Sequence, residues 1–480
     1  MKHSRLKVAT RLLWVPLLVA NFATNLATRI HAELRLAAPF TDHMVLQQAE
    51  EIPVWGWDAP ETAITVTLGN RSTSTQAAAD GKWRVRFAQR TPGKPLSLTV
   101  RGSSEIVLTD ILVGEVWLCS GQSNMEWTVR NSNSAEAEIA SGHHPEIRHL
   151  KILHTPAAIP QESVATTGWQ RSSPATVGNF SAVGYYFARN LQDQLGVPIG
   201  LIGSNWGGTR IEPWIPPAGF KEVPALRKIA DHLADYPKHK EDGAVNHQSA
   251  LALYNGMIHP LVPYPIRGAI WYQGESNNGN GMLYHEKMKA LIGGWRTVWH
   301  KPQLPFYFVQ LAPFRYKGDA TWLPGIWDAQ RHTLTVAHTG MAVTTDIGDV
   351  DDIHPTNKQD VGKRLALWAL ACTYQKEVGS YSGPLYQSIK VEGDHVRVFF
   401  DHTDGGLVSR DGKPLNWFTI AGPNQKFVDA TATIDGDTVM VHANEVKNPQ
   451  AVRFGWHQEA EPNLVNEAGL PASPFRSDTW

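Results

Sequence analysis

Four short stretches of this chain carry residue types that perform acyl transfer when they meet. "SGQSN" holds Ser123, "SNWGGTRIEPW" holds the pair Gly207 and Gly208, "QGESNNGNG" opens on Gln273, and "IGDVDDIHPTNK" sets Asp351 three residues before His354. A serine hydroxyl is a weak nucleophile. It needs an imidazole to take its proton, the imidazole needs a carboxylate or carbonyl to fix its tautomer, and a tetrahedral oxyanion needs preset donors. Ser123, His354 and Asp351 suit the first three roles, in the chain order Ser, Asp, His that some hydrolases use. Asp352, beside Asp351, and Asp346 and Asp349 upstream are further candidates for the acid, and a backbone carbonyl would also serve. Gly121-Gln122-Ser123-Asn124-Met125 lacks the second glycine of the Gly-x-Ser-x-Gly elbow, which excludes an ordinary α/β-hydrolase turn. Each feature alone is commonplace, since Ser in a Gly/Asn stretch is usually a turn residue and paired glycines let a chain turn tightly. Their succession along one chain carries the weight.

The elements that must position these residues can be read from periodicity. Val113–Cys119, Val197–Gly203, Ile266–Tyr272, Phe306–Leu311 and Met341–Asp346 are short apolar runs. Between them lie helical patterns, with Val183, Phe187, Leu191 and Leu195 at four-residue steps and Met288, Leu291, Ile292, Trp295, Val298 and Trp299 on another face. Strand and helix alternating at this spacing predict a parallel sheet covered on both faces, which places the polar clusters together beyond the carboxyl ends of the strands. Residues 33–109 read differently. "AITVTLGN" and "WRVRFAQ" are β-like, with Trp83, Val85 and Phe87 on one side, and Gly, Pro, Asp and Asn punctuate the gaps, predicting a small β-sandwich or barrel. The texture returns over 379–480 in "HVRVFF", "ATATIDGDTVMVHA" and "QAVRFGW", expected as a second β-region packed against the first. The organisation read from the sequence is a signal segment over 1–32, an N-terminal β-domain over 33–109, a catalytic α/β domain over 110–378 and a C-terminal β-region over 379–480.

Composition narrows the function. A net charge of -1 without a basic block excludes a nucleic-acid partner and an electrostatic membrane grip. Basic Lys2, Arg5, Lys7 and Arg11, the apolar run "LLWVPLLVA" and a small-residue ending at Ala27 or Ala32 form a three-part secretory signal, too short for a stable membrane span. The expected location is therefore periplasmic or secreted, with no stable membrane insertion. Two cysteines, Cys119 and Cys372, rule out a disulfide framework and a thiolate-rich zinc site and are expected as small buried side chains. None of the 20 histidines has the His-Glu-x-x-His spacing of a helix-borne metal site, so neither metal nor cofactor is expected. Eighteen tryptophans against 15 phenylalanines suit both core packing and stacking on sugar rings. Trp127 and Trp206 sit at the expected rim as sugar platforms. Arg210 follows the glycines either as a ligand contact or as a salt-bridge partner of Glu212.

The strings "GEVWLCSGQSNMEW", "GGTRIEPW", "GAIWYQGESN", "DIHPTNKQDVGKRLAL" and "NEAGLPASPFRSD", in this order, resemble the sialate O-acetylesterase-like group of the SGNH hydrolases over nearly the whole chain after residue 32. The resemblance implies a flavodoxin-like three-layer α/β/α domain, with the flanking β-regions as accessory units. It also implies deacetylation of sugars, either sialic acid or plant polysaccharide such as xylan or xyloglucan, without metal or organic cofactor. It makes Ser123 the nucleophile, His354 the base, and Gly207 or Gly208 an oxyanion donor. The group's third oxyanion donor is an Asn side chain. "YQGESN" has none at the expected place, so the role passes to Gln273, with Asn277 as the alternative. Two other readings fit the same chain: a carbohydrate-binding protein with an inert central domain, and a general short-chain carboxylesterase.

Overall fold

The computed structural model describes residues 33–480 and Met1, so the secretory segment expected over 1–32 otherwise lies outside the described residues. One strand, β1 (Glu105–Gly121), runs through two environments. Its first residues alternate outward and inward while pairing antiparallel with Leu96–Arg101; from Ile111 onward every residue is buried. The change marks passage from a sheet with one wet face to a parallel sheet covered on both. At the junction Asp110 takes a φ of 54°, unusual for a residue with a Cβ. Its carboxylate accepts from Arg148 Nη1 at 2.7 Å and Arg171 Nε at 2.8 Å, and lies 2.7 Å from His43 Nδ1. The boundary expected at residues 109/110 thus falls inside a continuous strand.

The central sheet adds β2 (Ile147–Ile152), β3 (Thr166–Arg171), β4 (Ile199–Asn205), β5 (Gly268–Tyr272), β6 (Phe306–Val309) and β7 (Thr339–Ala342), in the order β3-β2-β4-β1-β5-β6-β7. All neighbours are parallel except the edge pair β3/β2. Side-chain parity fixes the layers. Trp117 of β1 meets Phe187 at 5.0 Å on α2 (Ala182–Leu195), α1 being the single turn Ser123–Glu126. Trp271, in register with Ser120 and so on the opposite face, meets Trp295 at 6.0 Å on α3 (Leu283–Val298). Helix α4 (Trp322–Thr333) packs beside α3, and α5 (Lys358–Trp368) packs on α2. Helix α2 starts where Ser181 Oγ accepts the Gly184 N–H at 3.2 Å and stops at Gly196, φ 62°.

In the N-terminal region the strand Lys82–Phe87 buries Trp83, Val85 and Phe87 on one side, as its alternation predicts. Its apolar interior is continuous with that of the central block. The C-terminal region has two four-stranded sheets around its own core of Val398, Ile420, Val439, Phe454 and Phe475. Instead of the expected packing against the first β-region, the contacts that dock it lead to the central block: Arg476 pairs with Asp328 of α4 at 3.2 Å, and Ser473 receives Gln310 Nε2 at 2.9 Å. Cys119 is buried as expected, but Cys372 is exposed. Among the described residues no helix is long and apolar enough to cross a membrane, and no group of three or more His, Cys, Asp or Glu side chains is placed to hold a metal.

Candidate active site

Sheet register brings the candidate residues to one level. Gly121, Asn205 and Tyr272, the last residues of β1, β4 and β5, are Cα partners. Ser123, Gly207 and Gln273 therefore leave the sheet within two residues of a common line. The chain turns sharply after β1 because Gly121 adopts φ +136°, and a Cβ there would sit 2.1 Å from Tyr272 O. Ser123 opens α1 directly afterwards and is half-buried. His354 precedes Pro355, which disfavours helix at the histidine. Helix α5 begins only at Lys358, after Asn357 caps it by accepting the Asp360 N–H at 3.1 Å.

His354 Nε2 lies 2.8 Å from Ser123 Oγ. The imidazole also stacks on Trp127, with ring centroids 4.8 Å apart and planes 12° apart. Burial, reinforced by the charge of Lys358 and opposed by Asp352, lowers the His354 pKa, which keeps the ring neutral and able to accept a proton. The four acids of the loop separate clearly. Asp346 holds Arg364 through two bonds of 2.7 Å, Asp349 accepts the Asp351 N–H at 2.9 Å, and Asp351, 70% exposed, turns away to Arg315. Asp352 is the carboxylate nearest the histidine: it accepts the His354 backbone N–H at 2.8 Å and stands 3.8 Å from Nδ1. Asp351 therefore does not face the histidine, contrary to expectation, and the carboxylate beside it is that of Asp352.

The amide expected in the oxyanion hole is committed elsewhere. Gln273 is fully buried, and both protons of its Nε2 are spent, on Thr209 O at 3.1 Å and Asn277 Oδ1 at 2.8 Å; its Oε1 accepts from Tyr284 at 2.8 Å. Asn277 is equally occupied, donating to Glu212 Oε2 at 3.0 Å and Asn280 Oδ1 at 3.2 Å. Both side chains brace the loops behind the serine, as does Glu212, which pairs with Lys287 at 2.7 Å and not with Arg210. Arg210 is exposed and pairs with no carboxylate among the described residues. Of the two glycines, Gly207 is against the nucleophile, since a Cβ there would approach Ser123 Cβ to 3.3 Å; its N–H is held by Glu126 Oε2 at 2.8 Å. Gly208, φ +72°, is exposed, and its N–H has no acceptor among the described residues, like that of Ser123 at the open end of α1.

Trp206 does not present free ring faces to a ligand. His154 stacks on it at 4.2 Å and His247 at 4.7 Å. His154 and Lys151 also bind Glu126, at 2.8 and 2.9 Å; burial works to raise the Glu126 pKa, but these two partners outweigh it and hold it at about 2. A second cluster lies behind the dyad. Asn124 donates to Glu275 Oε1 at 2.6 Å and to Ile353 O at 2.9 Å, and accepts from Lys358 Nζ at 2.5 Å. Burial pushes the Glu275 pKa up and holds that of Lys358 down at about 7. Sequence reasoning missed Asn124, Glu126, Glu275 and Lys358, although all four stand inside the strings that carry the family resemblance. Nothing in Lys151 or His154 sets them apart along the chain.

A nucleophile, a neutral base in contact with it, and unoccupied backbone donors at the carboxyl ends of a parallel sheet define a hydrolase of acyl esters as the class. Comparison with known proteins gives the family. Residues 113–371 match the family model "Carbohydrate esterase, sialic acid-specific acetylesterase". The chain is 34% identical over 400 residues to the sialate O-acetylesterase of Homo sapiens, covering 74% of each chain, and 30% identical over 512 residues to that of Mus musculus, covering 92% of this chain and 94% of that one. A solved structure of a novel carbohydrate acetylesterase from Xanthomonas citri superposes with a TM-score of 0.86 at 38% identity, over 93% of this chain and 100% of the other. The chain belongs to this family of carbohydrate esterases, and it is a carbohydrate O-acetylesterase.

Proposed function

We propose that Ser123 removes acetyl groups through an acetyl-enzyme, in a domain of the SGNH type spanning 110–378. The observation that carries this reading is the 2.8 Å contact between His354 Nε2 and Ser123 Oγ. In the first half-reaction Oγ attacks the acetyl carbonyl while its proton passes to Nε2. The oxyanion is received by the N–H groups of Ser123 and Gly208. Collapse expels the sugar hydroxyl, which takes the proton back from His354. In the second half-reaction His354 takes a proton from water, the hydroxide attacks the acetyl-serine carbonyl, and acetate leaves as Oγ is reprotonated. Trp127 and Asp352 fix the imidazole plane, and the Glu126, Lys151 and His154 cluster fixes the glycine loop.

The test is acetate release from O-acetylated sialic acid, acetylated xylan and acetylated xyloglucan oligosaccharides, with wild type beside Ser123→Ala. Release that falls by roughly 10³-fold or more in the variant supports the serine route; equal release from both proteins refutes it. Arg210, without a carboxylate partner among the described residues, is the cation that a sialic acid carboxylate would need, and a neutral glycan would leave it unused. Export from the cytoplasm is part of the same proposal, and N-terminal sequencing of the protein recovered outside the cytoplasm, expected to start after Ala27 or Ala32, checks it.

A further inference from the structure

A chain of contacts leads from the catalytic loop into the C-terminal region. Asp351, three residues before His354, pairs with Arg315; Arg315 Nε also binds Glu459 at 2.9 Å; the Glu459 N–H is received by His457 Nδ1 at 3.2 Å; and His457 stacks on Trp417 with planes 17° apart. At its end is a cavity of about 560 Å³ walled by Trp417, Phe427, Trp456, Arg453, Asp429 and His457. This composition is unlike a core. Trp417 is 39% exposed and holds a φ of 61°, a conformation bulky side chains avoid. The guanidinium of Arg453 lies 4.0 Å from the Phe427 ring centroid and 5.3 Å from that of Trp456.

Charge decides what such a cavity takes. Arg453 is neutralised through two 2.8 Å bonds to Asp478, while the Asp429 carboxylate has no ion-pair partner among the described residues. A cavity with this balance repels an anionic sugar, whereas its rings suit the C–H face of a neutral pyranose and its Asp and Arg suit hydroxyls. We infer that the cavity at Trp417 is a distal subsite for an uncharged stretch of the sugar chain whose acetyl group lies at Ser123. It rests on the carbohydrate-esterase reading of Ser123, and it narrows the substrate to neutral oligo- or polysaccharide.

Two measurements on the full chain test it. In the Ser123→Ala background, binding of unacetylated xylohexaose, followed by titration calorimetry, is expected to weaken about ten-fold on adding Trp417→Gly, a change that also relieves the positive φ, or Phe427→Ala. In the active enzyme, Trp417→Gly is expected to lower kcat/KM on acetylated xylo-oligosaccharides about ten-fold relative to kcat/KM on p-nitrophenyl acetate, through KM and not kcat. Unchanged xylohexaose binding and an unchanged ratio overturn the subsite. Binding of a sialylated trisaccharide that depends on Trp417 while xylohexaose does not overturns its assignment to neutral sugars. A protein without esterase activity would refute the proposed reaction, while the calorimetry would still judge the cavity.

Discussion

Replacing Lys358 with methionine should change how stability depends on pH, by an amount that follows from the burial of this residue. Lys358 is fully buried beside Asn124, with Glu275 on the far side of the same amide, and its pKa is held down at about 7. In the unfolded chain the ammonium titrates near 10.4. Between these values the unfolded state binds the extra proton, so the Lys358 contribution to stability rises with pH across this window and is at its lowest below about 7. One proton corresponds to about 1.4 kcal/mol per pH unit, which over the window amounts to about 5 kcal/mol. Urea unfolding of wild type and Lys358→Met at a series of pH values between 6 and 10 reads mainly this term, because the other titrating groups are present in both proteins and the coupled His354 changes charge toward the acid end of the series. The stability of wild type relative to the variant should climb by several kcal/mol from the acid to the alkaline end. A flat difference would mean that Lys358 titrates as in water and that the buried cluster behind Ser123 is misread. The same variant removes a cation that helps lower the His354 pKa, so the acid limb of kcat/KM should move to higher pH.

Asp352→Asn should lower kcat roughly ten-fold, less than for a triad acid in full hydrogen-bond contact because Nδ1 is 3.8 Å away; Asp351→Asn, which breaks only an exposed ion pair, should stay within about two-fold, and the reverse order would restore Asp351 as the orienting acid. Trp127→Ala should reduce kcat between about 10- and 100-fold with KM nearly unchanged, and Trp127→Phe should recover much of it, because the ring holds His354 by stacking; a KM effect without a kcat effect would make it a sugar contact instead. Gln273→Ala should cost about 1–3 kcal/mol in a denaturation experiment by removing the donor to Thr209 O, while Asn277 Oδ1 still accepts the Ile211 N–H and the Tyr284 hydroxyl still donates to Gln273 O; a large rate loss at unchanged stability would return the amide to the oxyanion hole.

The fold was legible wherever one period dominated. The alternation over Lys82–Phe87 and the continuous apolar run ending at Cys119 each match their burial, because half-wet and fully covered strands impose different patterns. The position where one environment hands over to the other was not legible. Asp110 turns the strand through a backbone conformation that its residue type does not announce, and its three basic partners come from residues 43, 148 and 171.

The site divides along the same physical line. The juxtaposition of Ser123 and His354 was readable because their places are tied to backbone features that sequence does encode: a glycine turn after a strand, and a proline that keeps the histidine out of the next helix. The auxiliary groups were not, because an amide or carboxylate at a strand end can turn toward the reacting atoms or back into the protein. Gln273 turned back because Asn277 and Thr209, brought near it by the fold, offered acceptors that satisfy both of its protons in a fully buried position. Asp351 turned outward because Arg315 is presented to it, leaving the adjacent acid for the histidine. In both cases the deciding partner is a contact made by the fold, invisible in the local string. A motif therefore fixes where a side chain's backbone stands, and the surrounding hydrogen-bond demand fixes what that side chain does.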